Sequence, residues 1–170
     1  MGTVSSPIRR QYQLYIERPP EAIFAFVTDL SNYARVCPDD QKEEATGVAQ
    51  SVGALVLFRG GPWGDITATV SELDSPRLFC LQQVEGPFVT WTHRYKLSAF
   101  QQGTLLSEQF EYTLKGLAIA KERLPSTNKL WDDWVHHRQS EIKRIQERIG
   151  RIKPIPQPLP SGQGTGKGSF

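Results

Sequence analysis

Trp91-Thr92-His93-Arg94-Tyr95-Lys96-Leu97 alternates large, mostly apolar side chains with polar ones. Successive side chains of a strand point to opposite faces. Trp91, His93, Tyr95 and Leu97 therefore share one face, and Thr92, Arg94 and Lys96 the other. Past a turn signal at Gln102-Gly103 the alternation returns, with Leu106, Glu108, Phe110, Tyr112 and Leu114 set against Ser107, Gln109, Glu111 and Thr113. A tight turn there pairs positions whose numbers sum to an odd value, which brings the two inward sets together. A slip of one residue would bury Arg94 and Lys96, so the pattern fixes the register. The hairpin 88–114 thus has one face for solvent and one for a core.

A partner for that core face lies downstream. Leu130, Trp131, Trp134, Val135, Ile142, Ile145 and Ile149 recur at three- and four-residue steps, the stripe of an amphipathic helix. Pro125-Ser126-Thr127-Asn128 is read as a break before it, leaving a helix of about 22 residues and roughly 33 Å. Arg138 falls inside the stripe and must snorkel or find an acid. Upstream, residues 10–17 alternate as a strand with Tyr12, Leu14 and Ile16 on one face. Pro19-Pro20 ends it and opens a short helix over 21–27, and Asp29 is placed to cap another over 30–36. Further strands are expected near 42–48, 53–60, 64–73 and 77–85, separated by glycine and proline turns. The class is α+β: a curved antiparallel sheet of about seven strands, two short helices after strand 1, and a long C-terminal helix laid across the sheet. Residues 117–124 are ambiguous, with a short helix closing a pocket mouth as one reading.

The remaining sequence mostly excludes. The chain has 170 residues. The proline- and glycine-alternating stretch 151–170 is expected to be a disordered tail beyond a single domain of residues 1–150, with a proline-rich docking peptide as the less favoured reading. Removing that tail leaves 17 basic and 18 acidic side chains in residues 1–150. No concentrated basic face is written there, so nucleic acid is not an expected partner. No apolar run approaches the ~20 residues of a membrane span. Residues 1–7 lack a signal-peptide core, and Cys37 and Cys80 form no disulfide or zinc pattern, so a reduced, cytoplasmic protein is expected. Phosphate-loop, dinucleotide, EF-hand and metalloprotease motifs are missing, and neither metal nor organic cofactor is expected. Gly60-Gly61-Pro62-Trp63-Gly64 reads as a turn between strands. The neighbouring His136 and His137 point about 100° apart on a helix and cannot grip one ion.

The candidate chemistry sits on the inward face. Glu108 there must be paired, protonated or beside water. In one reading it is a satisfied core group, bonded to a tyrosine hydroxyl or to Arg138. In the other, His93, Tyr95, Glu108 and Tyr112 form a polar cluster at the bottom of an apolar pocket, with Glu108 raised by burial toward neutrality to move a proton. Trp63, Trp91, Phe110, Trp131 and Trp134 converge on the same volume, and a hollow beneath the helix is expected.

Several stretches carry a resemblance. Ile16-Glu-Arg-Pro-Pro-Glu-Ala-Ile-Phe-Ala-Phe-Val-Thr-Asp29-Leu-Ser-Asn-Tyr33 is similar to the strand-to-helix opening of the START and birch-pollen-allergen-like helix-grip superfamily, which includes polyketide cyclase/dehydratases. Gln82-Gln-Val-Glu-Gly-Pro-Phe88, Trp91-Thr-His93 and Gly103-Thr-Leu-Leu-Ser-Glu108-Gln-Phe-Glu-Tyr112 resemble its bacterial ligand-binding branch. The likeness covers about 8–148. It implies a helix-grip fold enclosing a small hydrophobic or aromatic, polyketide-like molecule. It also implies either cofactor-free cyclase, dehydratase or isomerase chemistry or plain binding and transfer. In the enzyme version Glu108 or His93 moves the proton and Tyr95 and Tyr112 hold a carbonyl or phenol. Trp63, Trp91, Phe110, Trp131, Trp134 and Arg138 then bind the substrate. No catalytic motif runs through the superfamily, so these roles rest on the facing argument. A third reading, an interaction module working through residues 151–170, needs a filled interior. The oligomeric state, monomer or homodimer, is left open.

Overall fold

The computed structural model describes residues 2–47 and 49–152; the expected tail from 153 onward lies outside them. Seven strands form one antiparallel sheet: β1 (Ile8–Ile16), β2 (Glu43–Gly47), β3 (Leu55–Gly60), β4 (Ile66–Asp74), β5 (Leu78–Glu85), β6 (Thr90–Phe100) and β7 (Gly103–Thr113). Their order is β1-β7-β6-β5-β4-β3-β2, a meander whose first strand closes beside the last. Helix α1 (Pro20–Thr28) follows β1. A short 3₁₀ turn (Leu30–Asn32) leads into α2 (Tyr33–Val36), and the Asp29 carboxylate caps it by accepting from the Ser31 amide at 3.1 Å. Helix α3 (Leu117–Glu122) precedes α4 (Pro125–Gly150). No described helix is long and apolar enough to cross a membrane.

The hairpin sets inward side chains against inward ones as its alternation demands, with the turn at Gln101-Gln102, one residue earlier than the sequence reading placed it: Trp91 pairs with Tyr112, His93 with Phe110, Tyr95 with Glu108 and Leu97 with Leu106. All eight are buried, while Arg94 is half-buried and Lys96 exposed on the far face. Trp131, Trp134, Val135, Arg138, Gln139, Ile142 and Gln146 of α4 are buried against the sheet.

Helix α4 begins at Pro125 and runs 26 residues, one turn earlier than the sequence reading placed it. Pro125 sits in the first turn, where its missing amide has no carbonyl to serve and its fixed φ suits the helix. The residue read as a breaker is the start.

The β6–β7 turn presses against β1. A Cβ at Gly103 would overlap the Ile16 carbonyl oxygen and come within 3.0 Å of Glu17 Cα, backbone that cannot rotate aside. Gly103→Ala is therefore expected to lower stability by about 1–3 kcal/mol. The loss should appear as a lower urea midpoint with unchanged slope.

Candidate functional site

Glu108 lies midway along β7, beside Tyr12 of β1 and Tyr95 of β6. Its Oε1 accepts from Arg138 Nη1 at 3.0 Å and from His93 Nε2 at 3.1 Å, and its Oε2 accepts from Gln139 Nε2 at 3.0 Å. Arg138 Nη2 also donates to the Tyr95 hydroxyl at 2.8 Å. The Arg138 guanidinium carbon lies 4.8 Å from the Tyr33 ring centre and 4.7 Å from that of Trp134. None of these ionisable side chains reaches solvent; His93 and Glu108 are 0 % exposed and Arg138 1 %.

Electrostatics assign the protons. Burial pushes the Glu108 carboxyl up, but the Arg138 charge and the His93 contact outweigh it and hold the carboxyl below the usual range. Glu108 is therefore ionised at neutral pH, which corrects the expectation that burial would bring it toward neutrality. The reason is that its ion pair with Arg138 forms inside the low-dielectric core. Burial lowers His93, against the raising contact with Glu108, so the imidazole is neutral. An ionised Glu108 can only accept, which places the imidazole proton on Nε2 and leaves Nδ1 as a lone pair. That Nδ1 is buried and has no hydrogen-bond partner. The ring is fixed by stacking on Phe110, centroids 4.1 Å apart and planes 20° from parallel.

Tyr112 belongs elsewhere. Its hydroxyl accepts from Arg10 Nε at 2.8 Å and donates to Glu122 Oε1 at 2.6 Å. Arg10 Nη2 reaches both Glu122 Oε1 (2.6 Å) and Asn128 Oδ1 (2.8 Å). The four polar residues expected in one cluster thus divide: His93, Tyr95 and Glu108 meet around Arg138, while Tyr112 joins a latch that ties α3 to β1 and α4.

The hollow expected beneath α4 is filled, which meets the condition of the interaction-module reading, although the segment it relies on lies outside the described residues from 153 onward. Trp131 stacks on Tyr112 at 5.3 Å and on Trp63 at 4.0 Å, and meets Phe110 edge-on at 5.0 Å. Trp63 also meets Trp134 edge-on, and Trp91 packs against His93 and Phe58. A narrow space of about 10 Å³, room for about one water, lies where Tyr95 and Arg138 face Val27, Tyr33 and Val36 of the α1–α2 segment. An accessible depression of about 280 Å³ lies farther out, where Trp63, Phe88, Leu114, Leu130 and Trp131 meet Glu122 of α3. The cause is physical: these rings fill the cup when Trp63 folds inward from the β3–β4 turn.

That closed packing leaves polar atoms stranded. The indole Nε1 atoms of Trp63, Trp91 and Trp134, the Arg138 Nε and the His93 Nδ1 are all buried without partners. Each such group costs about 1–3 kcal/mol relative to a bonded one.

The sequence reading missed Gln139, Arg10, Glu122 and Glu43. Arg10 was accessible to it, since positions 10, 12, 14 and 16 share a strand face. Gln139 adjoins Arg138, but a second polar residue beside an apolar stripe ordinarily marks the edge of a helix face.

This sheet wrapped on a long C-terminal helix, with short helices after the first strand, is the helix-grip fold of START and Bet v1-like proteins. A START superfamily protein from Mycobacterium smegmatis matches 83 % of this chain and 98 % of its own at 13 % identity, TM-score 0.65. The Zhui aromatase/cyclase from Streptomyces sp. R1128 covers 86 % of this chain and 97 % of its own at 14 % identity, TM-score 0.65. The di-domain ARO/CYC StfQ from the steffimycin biosynthetic pathway matches 86 % of this chain at 10 % identity, TM-score 0.67, and this chain spans 52 % of its length. At these identities the likeness establishes the fold alone. No protein-family profile and no curated protein sequence matches the chain.

Proposed function

We propose that the protein takes up a small, largely apolar or aromatic molecule bearing at least one oxygen, and acts on it without a cofactor as a cyclase, dehydratase or isomerase. The observation that carries this reading is the His93–Glu108 pair: a neutral imidazole anchored by a buried carboxylate, with a basic nitrogen that nothing else uses. In this reading His93 Nδ1 takes the proton from carbon and Glu108 stabilises the imidazolium that forms. The Tyr95 hydroxyl, held by Arg138, supports the carbonyl oxygen on which charge develops. Trp63, Trp91, Phe110, Trp131 and Trp134 shape the apolar part, and the molecule enters at the depression beside Trp63 and Trp131. The solved aromatase/cyclases of the same fold agree with this class of chemistry. Tyr112 is reassigned from the reacting group to the latch that frames the mouth.

A second reading, a carrier that performs no chemistry, is favoured by one observation: both Glu108 oxygens already have protein donors.

Both readings require that a guest part the stacked rings of Trp63 and Trp131, and the enzyme reading requires that it also displace Phe110 to reach His93. Titration with 2-acetonaphthone or Nile red should quench indole emission saturably. Trp131→Leu should weaken 2-acetonaphthone by up to about tenfold, the worth of a stacked aromatic pair. Absence of a saturable change with both probes would overturn the uptake of apolar molecules altogether.

A further inference from the structure

Glu43 is a second buried carboxyl, on the opposite edge of the sheet from β1. It is 2 % exposed, and its Oε2 has no partner. What covers that oxygen is the turn joining β3 to β4: a Cβ at Gly61 would overlap Glu43 Oε2. Three glycines shape the turn. Gly60, Gly61 and Gly64 hold φ of 80°, 75° and 90°, a region glycine enters without penalty. Two bonds anchor it, Gly61 N to the Lys42 carbonyl and Gly60 N to Asp65 Oδ1, each 3.0 Å. Between the glycines stands Trp63, the ring that closes the mouth against Trp131.

We propose that ionisation of Glu43 lifts the Gly60–Gly64 turn and draws Trp63 off Trp131, so that the mouth of the site opens as pH rises. A neutral carboxyl tolerates the dry contact with Gly61, whereas a carboxylate with an unpaired oxygen needs water, and the turn lies between that oxygen and solvent. The groups facing Glu43 are Arg138 from α4, Tyr33 from α2, Cys37 just beyond α2, and Asp65 at the foot of the turn. Arg138 favours the charged form but is committed to Glu108 and Tyr95 and pinned over two rings, so it does not swing across to satisfy Glu43. Burial is the largest influence; together with the like charge of Asp65 it outweighs Arg138 and Tyr33 and raises the carboxyl to about 7. The sign follows: closed below that pH, open above it. Because the folded value is raised, Glu43 also withdraws stability from the closed form as pH climbs from about 4.5 through about 7.

The device governs access to the site proposed above, but its first readout needs no ligand, so the two readings fail separately. Acrylamide quenching of Trp63, taken as the difference between the parent chain and Trp63→Phe, should rise several-fold between pH 5.5 and 8.5. Its midpoint should lie near 7. Glu43→Gln, an isostere of the neutral acid, should stay closed across the range. Gly61→Ala, which pushes the turn off the carboxyl, should be open at both ends. The second readout is the uptake rate of Nile red, expected to follow the same profile. A quenching difference that does not change with pH, or a Glu43→Gln profile matching the parent, overturns the gate. Gly61→Ala behaving like the parent does the same. Absence of Nile red uptake at every pH counts instead against the binding reading.

Discussion

Arg138→Met is expected to cost the domain about 3–5 kcal/mol at pH 7, the usual penalty for removing one partner of a buried ion pair. The methionine fills most of the vacated volume, so the loss reports charge rather than a cavity. Glu108 is left ionised in the core with only His93 and Gln139 donating to it. The pH dependence distinguishes this from simple packing damage. In the parent chain Glu108 is held below its ordinary value of 4.5, so its contribution is present above that pH and is lost as pH falls toward the folded value. Without Arg138, burial is opposed only by the His93 and Gln139 contacts, and Glu108 rises from its parent value. The variant then regains part of its deficit on acidification, and urea midpoints for parent and variant should converge between pH 7 and pH 4. Adding Glu108→Met to Arg138→Met should recover stability at pH 7, because two apolar side chains replace an uncompensated charge. A penalty below about 1 kcal/mol, or a double variant no better than the single one, would mean that the pair does not hold the core together.

Much of this arrangement was legible in residues 91–114. Strict alternation on two strands with a two-residue turn dictates which faces meet, and it puts His93, Tyr95 and Glu108 on the helix side. Arg138 was legible as the odd residue in an apolar stripe, and an acid partner was the physical requirement. What alternation does not encode is distance. It says which way Phe110 points, as helical spacing does for Trp131, but not whether the two rings meet or that Trp63 folds in from its turn, and here both Phe110 and Trp63 meet Trp131. The protonation of Glu108 escaped for a related reason. Burial alone argues for a raised value, and the 3.0 Å contact with Arg138, joined by the His93 contact, reverses the sign. Pro125 was misread because one residue type serves both to stop a helix and to start one, and the local sequence does not separate the two uses. Glu43 stayed hidden at the head of the expected strand 42–48, where the polar run Asp39-Asp40-Gln41-Lys42-Glu43-Glu44 has no apolar alternation to show which side chains turn inward.

The second large effect concerns His93 and needs no knowledge of the natural substrate. In deuterated water, an aryl ketone held in the site exchanges its α-hydrogens if a base removes one and returns a deuteron. 2-Acetonaphthone supplies the test, followed by proton NMR. His93 Nδ1 takes the α-proton, the electron pair of the C–H bond moves into the enolate, and Tyr95 supports the enolate oxygen. The imidazolium then exchanges with solvent and gives back a deuteron. His93→Phe keeps a flat ring against Phe110 but has no lone pair, and should slow exchange by about 10²–10⁴-fold while changing ketone affinity little. Glu108→Gln removes the negative charge that stabilises the imidazolium and should slow exchange as well. It should also push the acidic limb of the pH profile to lower pH, since burial already lowers His93 and the raising contact with Glu108 is lost. In the parent chain that limb should lie below 6.5, the ordinary value, because a neutral imidazole is the working form and burial favours it. Equal exchange in the parent chain, His93→Phe and Glu108→Gln, with the ketone bound in all three, removes the proton-transfer role. What would then stand is a carrier, in which the buried pair serves only to hold α4 against the sheet.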